Sequence, residues 1–458
     1  MSSTKQIIQP LPYFEDSARL FAPLASQPWS VFLDSGYPRS NQGHYDIFAA
    51  EPVCTLMTHG DITTITRNGI SASSTEDPFM LVKQQLLPAM PVIKELPFIG
   101  GAIGYFGYDL ARRLEKLPSV SEDAEKIAEM AVGIYPWAVV VDHRKRRSHL
   151  VGLFDNDSSL ETLLERFSRL PELCDMTDFH VTGPIESNMD KARYAYAIDR
   201  IKHYLKEGDC YQVNLAQRFS APCHGNPWHA YVKLRELNAA PFSCYMNTSE
   251  VQILSSSPER FLKVREGLVE TKPIKGTRPR KAGAIEDRDQ VSELANSKKD
   301  RAENVMIVDL LRNDISKTCK KGSVKVPKLF DIESYATVHH LVSTVIGVLD
   351  AGRHSLDLLR SCFPGGSITG APKIRAMEVI EELEPHRRGV YCGSIGYIGY
   401  DGNMDTNIAI RTLVHSAGTI RFWAGGGIVN DSVMEDEYQE CFDKAAAMLA
   451  LLEGLEGK

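Results

Sequence analysis

The spacing of apolar residues changes in blocks along this chain, and that feature narrows the possible folds most. In YQVNLAQRF, Tyr211, Val213 and Leu215 alternate with Gln212 and Asn214, the period of a half-buried strand. VQILSSSPERFLKV and SIGYIGYDGNMDTNIAIRTLV read as antiparallel strands joined by turns, whereas RAENVMIVDLLRNDI and EYQECFDKAAAMLALLEGL carry helical spacing. Earlier in the chain, VGIYPWAVVVDH and HLVGLF are β-rich, and the acidic stretch from Ser121 to Glu129 reads as loop plus helix. Strands and helices therefore come in runs rather than in strict alternation, which predicts α+β layers and argues against a doubly wound parallel sheet.

A polar stretch from Asp175 to Asp190 gathers the turn formers Gly183, Pro184, Ser187 and Asn188 and marks a subdivision. It separates an N-terminal subdomain, residues 1–185, from a region 186–458, within one continuous structural unit. Just beyond it, Ser187 or Asn188 can cap a helix in which Ile198, Ile201 and Leu205 recur, and Gly208 ends that helix.

Charge removes one class of partner. The formal net charge is -7, and no basic run exceeds the cluster from His143 to Arg147, so no nucleic-acid footprint exists. The opening MSSTKQIIQPLPYF lacks an apolar signal core, and nowhere do about 20 apolar residues run together, as a membrane span requires. A cytoplasmic protein with no membrane partner is expected. Nine cysteines occur without a CxxC pair or metal-ligand spacing, which fits reduced structural thiols.

Several short motifs can carry chemistry. Gly425, Gly426 and Gly427 follow the strand-like RFWA and, as a tight turn, can bring backbone N–H groups close to an anion. Glu437, Glu440 and Lys444 share one stripe of the last helix, which equally describes a solvated face. Glu303 opens the apolar helix RAENVMIVDLL, and carboxylates without Cys or His companions suit a hard cation such as Mg²⁺. Lys275 in ETKPIKGTRPR is a nucleophile only if burial or neighbouring cations lower its pKa, and Arg278 and Arg280 are candidate neighbours. Glu259, at the end of VQILSSS, can serve as an acid facing the same cavity, or it can be an ordinary surface carboxylate. FPGGSITGAPKIRAMEVIEELE places Ser367 and Thr369 before a helix that opens near Pro372.

Taken in order, SPER, PIKGTRPR, RAENVMIVDLLRND, HHLVS, SITGAPKIRAM, GSIGYIG with DTNIAIR, AGGGIV and the closing ExxExxxK pattern resemble the chorismate-utilising enzyme family. The resemblance is dense from about Tyr194 to Leu452. It implies an α+β fold of two packed antiparallel β-sheets with outer helices, enclosing a chorismate site. It also implies that Glu303 and Glu440 hold Mg²⁺ with Glu437 as a neighbour. Arg411 would grip a substrate carboxylate, while Thr277, Ser367, Tyr391, Lys444 and the backbone of Gly425, Gly426 and Gly427 complete the substrate contacts. His340 matches the family's active-site histidine, and Glu259 would be the general acid.

Lys275 separates the branches of the family. Anthranilate-, isochorismate- and salicylate-forming members resemble one another in carrying a small residue there, as in PIAGT, whereas PIKGT resembles the branch that aminates chorismate at C4. In that branch the lysine is expected to bond to ring C2 before ammonia enters at C4. Ammonia would come from a separate glutamine amidotransferase, since no glutaminase-like Cys segment is visible. VFLDSGYPRSNQGHYDIF resembles the region that holds an amino acid in these proteins, with tryptophan as the candidate ligand. Ser35, Pro241 and Phe242 would line that pocket, and His44 stands where an Arg is expected. The competing expectations are an anthranilate-forming enzyme and a catalytically silent amino-acid-binding subunit.

Overall fold

The computed structural model describes residues 5–40, 43–86, 90–154, 157–171, 178–335 and 338–457. Two antiparallel sheets, of 13 and 12 strands among the described residues, carry the fold. The centre of the first sheet runs Trp137–Asp142, Tyr45–Ala49, Ser30–Asp34, Phe242–Asn247, Gln252–Ser257, Thr412–Ser416, Thr419–Ile428 and Gln212–His224. The second runs Ile274–Pro279, Val338–Val348, Leu268–Thr271, Arg260–Arg265, Met404–Asn407, Ser394–Gly399, Gly101–Phe106 and Met130–Tyr135, and then continues to an exposed edge at Ile70–Ser74.

The alternation of side chains explains the layering. Val31, Ile47 and Val140 point into a core shared with Leu56, Ile103, Val132 and Ile398 of the other sheet. Their neighbours Phe32, Phe48, Val139 and Val141 point the opposite way, against Trp228, Tyr231 and Leu234 of one helix and Met448, Leu451 and Leu452 of another. Both faces of the first sheet are therefore apolar, and helices cover the outer one. The arrangement is the expected α+β class of two packed antiparallel sheets with outer helices.

Strands from either side of the stretch 175–190 lie side by side in both sheets. Ser30–Asp34 pairs with Phe242–Asn247, and Gly101–Phe106 pairs with Ser394–Gly399. Asp175 itself lies outside the described residues.

Three local expectations change. Ser121–Glu129 contains no helix, because its acidic groups are taken by distant partners: Glu125 binds Arg218 and Arg421. The helix Lys191–Glu207 is capped by Asp190, whose carboxylate accepts the Arg193 N–H at 2.7 Å, rather than by Ser187 or Asn188. Its end at Gly208, with φ of 83°, is the expected left-handed cap. The strand Gln212–His224 is buried on both faces over its first six residues, since Val213 and Leu215 meet helices on one side and Ala216 joins the core between the sheets on the other.

Candidate active site

The candidate residues converge where the chain crosses between the two sheets. Glu259 lies between Gln252–Ser257 of the first sheet and Arg260–Arg265 of the second, and Arg411 lies on the return from Met404–Asn407 to Thr412–Ser416. The two crossings are tied together. The Ile408 N–H donates to the Glu259 carbonyl at 3.0 Å, the Ser257 hydroxyl to the Ile408 carbonyl at 2.6 Å, and the Ser256 N–H to the Arg411 carbonyl at 3.0 Å. Strands that switch sheets at such corners bring a carboxylate and a guanidinium from distant sequence into one place. Arg411 adopts a left-handed backbone, φ 50°, unusual for a non-glycine residue. Its side chain makes no hydrogen bond or ion pair among the described residues, and burial lowers its pKa.

Lys275 is presented by an irregularity. The edge strand Ile274–Pro279 slips register against Val338–Val348 between Ile274 and Thr277, and a bulge of this kind re-aims a side chain. Gly276 makes the turn with φ of 79°, and a Cβ there would come within 2.8 Å of Asp300 and Leu294. The Lys275 ammonium donates to the Ser367 carbonyl at 3.3 Å, and the Ser367 hydroxyl donates to Glu259 Oε1 at 2.9 Å. Burial lowers the Lys275 pKa, against the pull of Glu303 and Glu259. Glu259, only 8% exposed, has its pKa raised by burial despite Lys275, Ser367 and Lys444. Both groups are thus pushed towards their neutral forms. Arg278 and Arg280 are not the cations beside Lys275: Arg278 pairs with Glu293 and Asp300, and Arg280 with Asp287. The like charge that reaches Lys275 is Lys444.

Glu303 comes from the helix Lys298–Ser316, and Glu437, Glu440 and Lys444 from the helix Met434–Glu453. A Cβ at Gly426 would lie 3.4 Å from Glu437 Oε2, 3.4 Å from Glu440 Oε1 and 3.5 Å from Lys444 Nζ, so the bare glycine leaves room for these groups. The Lys444 ammonium pairs with Glu440 at 2.6 Å and donates to the Gly425 carbonyl at 2.9 Å. Burial raises the pKa of Glu303 and of Glu437, and neighbouring carboxylates add to both shifts. Burial also opposes ionisation of Glu440, but the nearby ammonium groups, Lys444 foremost with Lys299 and Lys275, together hold that carboxyl below its usual range. Among the described residues no three His, Cys, Asp or Glu side chains close on a point tightly enough to enclose a metal unaided.

The glycine triplet is strand, not turn. Gly425, Gly426 and Gly427 pair with Ala216, Leu215 and Asn214, because the ladder with Gln212–His224 runs straight through them. On the other side the pairing with Thr412–Ser416 stops at Leu413 opposite Phe422, which leaves the glycine edge without a ladder partner among the described residues.

His340 sits opposite Thr277, with Nδ1 2.8 Å from the threonine hydroxyl, and its ring edge meets Tyr335. Burial, with Arg411 nearby, pulls its pKa down to about 4, so the imidazole is neutral at physiological pH. Tyr391 stacks on Trp423 with ring centroids 5.9 Å apart, and burial keeps its phenol protonated.

The sequence motifs pass over Arg388. It is fully buried, forms two bonds to Glu384 at 2.6 and 2.9 Å, and donates to the carbonyls of Ile368 and Asn214. It thereby fixes the loop that carries Ser367. The only sequence signal was the i, i+4 spacing of Glu384 and Arg388, which looks like a surface pair.

Ser35, Pro241 and Phe242 come together elsewhere, on a cavity of about 720 Å³. Its walls include His44, Pro258 and Ile274, the last two immediate neighbours of Glu259 and Lys275. Ser35 is committed to Asp46, which accepts its hydroxyl at 2.6 Å, and His44 pairs with Asp142 at 3.3 Å.

Comparison with known proteins follows the same lines. The family described as chorismate binding enzyme matches residues 32–450. Aminodeoxychorismate synthase component 1 of Klebsiella aerogenes is 48% identical over 97% of this chain and 98% of its own length. The protein of the same name from Escherichia coli (strain K12) is 48% identical over 96% of this chain and 97% of its own. Among solved structures, anthranilate synthase component I from Streptococcus pneumoniae TIGR4 superposes with a TM-score of 0.77 at 32% identity, covering 89% of this chain and 92% of that one.

Proposed function

The chain belongs to the chorismate binding enzyme family, and from that premise we propose that it aminates chorismate at C4, giving 4-amino-4-deoxychorismate for 4-aminobenzoate and folate biosynthesis. The observation that carries this reading is the Lys275 amine, lowered in pKa and linked through Ser367 to Glu259, a carboxyl with raised pKa.

Neutral Lys275 attacks ring C2, both ring double bonds shift towards C4, and the C4 hydroxyl leaves as water with the proton of Glu259. Ammonia then bonds to C4, both double bonds shift back, and the C2–N bond breaks to release Lys275. Glu259 recovers its proton from the new ammonium. Arg411, whose guanidinium has no hydrogen-bond or ion-pair partner among the described residues, suits a carboxylate of the dianionic substrate, and Lys444 stands at the glycine edge to assist. Neutral His340, with Thr277, and the stacked pair Tyr391 and Trp423 bound the ring space.

Glu303, Glu440 and Glu437 would hold Mg²⁺, since they offer hard carboxylate oxygens from two helices without Cys or His companions. Bound there, the ion would neutralise a substrate carboxylate. Ammonia would come from a partner glutaminase, and the eight described cysteines, all buried and unpaired, suit a reducing cytoplasm. No helix among the described residues is long and apolar enough to cross a membrane. The cavity beside Ser35, Pro241 and Phe242 is read as an amino-acid pocket, with tryptophan as the candidate ligand.

Purified protein with chorismate, Mg²⁺ and ammonium, assayed by mass detection with and without an added lyase, tests the reading. The expected product retains the enolpyruvyl group until the lyase is added. Direct appearance of fluorescent anthranilate, or no product at all, would overturn it.

A further inference from the structure

We propose that Lys299 is a resident counter-cation of the carboxylate site, an ammonium that holds the place of a divalent ion and yields it when the ion binds. The inference rests on the reading of Glu303, Glu437 and Glu440 as the magnesium site.

Lys299 stands in the first turn of the helix Lys298–Ser316, four residues before Glu303, so the two side chains leave the same face. Its ammonium lies 3.8 Å from Glu437 Oε1 on the last helix. It therefore bridges two elements whose carboxylates would otherwise repel, and its charge reaches Glu303, Glu437 and Glu440 alike.

The other ammonium groups of the site are committed. Lys444 is held by both Glu440 and the Gly425 carbonyl, and Lys275 by the Ser367 carbonyl. Lys299 differs in two respects: its side chain is 54% exposed, and its contact is longer than a hydrogen bond. An ammonium on a flexible four-carbon stem at a solvent-facing edge can swing away at little cost. A divalent ion at the same oxygens would drive it off by like-charge repulsion.

Two consequences are measurable. Without the ion, Lys299 offsets carboxylate repulsion and stabilises the free protein. With the ion, its displacement opposes binding, so affinity is lower than the carboxylates alone would give.

Magnesium titrations by calorimetry, with melting temperatures recorded in EDTA, should be run on the parent protein and on Lys299→Met, Lys299→Arg and Glu303→Gln. Lys299→Met, which keeps stem length and helix propensity, should bind Mg²⁺ about three- to tenfold more tightly and melt lower in EDTA. Lys299→Arg should behave like the parent. Equal affinity in Lys299→Met and the parent, with binding weakened in Glu303→Gln, would overturn this inference and leave the metal reading standing. Uptake unaffected by Glu303→Gln, or no uptake by the parent, would overturn both.

Discussion

Glu259 and Lys275 are joined through one residue: the Ser367 hydroxyl donates to the carboxyl at 2.9 Å, and the Ser367 carbonyl accepts from the ammonium at 3.3 Å. The acid comes from a crossing between the sheets and the nucleophile from an edge strand, yet both are tied to one residue of the Gly366–Ile368 turn. That loop is in turn held by Arg388 through the Ile368 carbonyl.

Chorismate supplied without ammonia should leave an adduct on the peptide containing Lys275, with the mass of chorismate minus water. Lys275→Ala should form none and lose most amination while still binding chorismate, since Arg411 and Lys444 remain. Glu259→Gln should slow adduct formation by about 10²- to 10⁴-fold, the usual worth of a positioned general acid. Peptide mass mapping reads both outcomes, and an adduct on another residue would rule out the assignment.

The rate of adduct formation should be bell-shaped in pH. As pH falls, Lys275 gains a proton and cannot attack; as pH rises, Glu259 loses the proton that the leaving hydroxyl needs. Burial lowers one pKa and raises the other, so both limbs should lie closer to neutrality than free lysine and glutamate would place them. They belong to the pair rather than to either group. His340, held near 4, should add no inflection around pH 6 to 7. A rate that stays flat from pH 5 to pH 10 would contradict the paired role.

Chelation by EDTA should abolish turnover, and added Mg²⁺ should restore it. Glu303→Gln and Glu440→Gln should be inactive at all accessible Mg²⁺ concentrations while keeping the far-UV spectrum and cooperative melting of the parent. Parent-like activity in both variants would remove these residues from the site.

Arg388→Met should destabilise the fold by about 3–5 kcal/mol in urea unfolding, because it strands the buried Glu384 carboxylate without its partner. Double replacement of Glu384 and Arg388 by Met and Leu should recover part of that loss. A single variant within about 1 kcal/mol of the parent would mean that Glu384 finds another partner or takes up a proton.

Much of this was legible in order and spacing. The runs of alternating and helical periodicity gave layers of the right class, and the motif residues Glu259, Lys275, Glu303 and Glu440 share one neighbourhood. What was hidden depends on partners far along the chain. The glycine triplet looked like a turn because glycine permits one, but a ladder with Gln212–His224 holds it extended. Arg278 and Arg280 looked like neighbours of Lys275 because they follow it, but the helices Ala284–Asn296 and Lys298–Ser316 draw them away with Asp287, Glu293 and Asp300. The acidic stretch at Ser121 looked helical by composition, yet Arg218 and Arg421 take Glu125.

The interleaving of early and late strands sets a timetable for synthesis. Phe106 finds one ladder partner in Met130 soon after but the other only in Ser394, so one edge of the strand Gly101–Phe106 leaves the ribosome long before its neighbour exists. At about 5–20 residues per second, that wait lasts on the order of tens of seconds, with an apolar strand edge open throughout. A nascent chain of this topology should therefore depend on holding chaperones more than its finished stability would suggest, and premature termination anywhere before residue 394 should yield aggregate rather than a folded fragment.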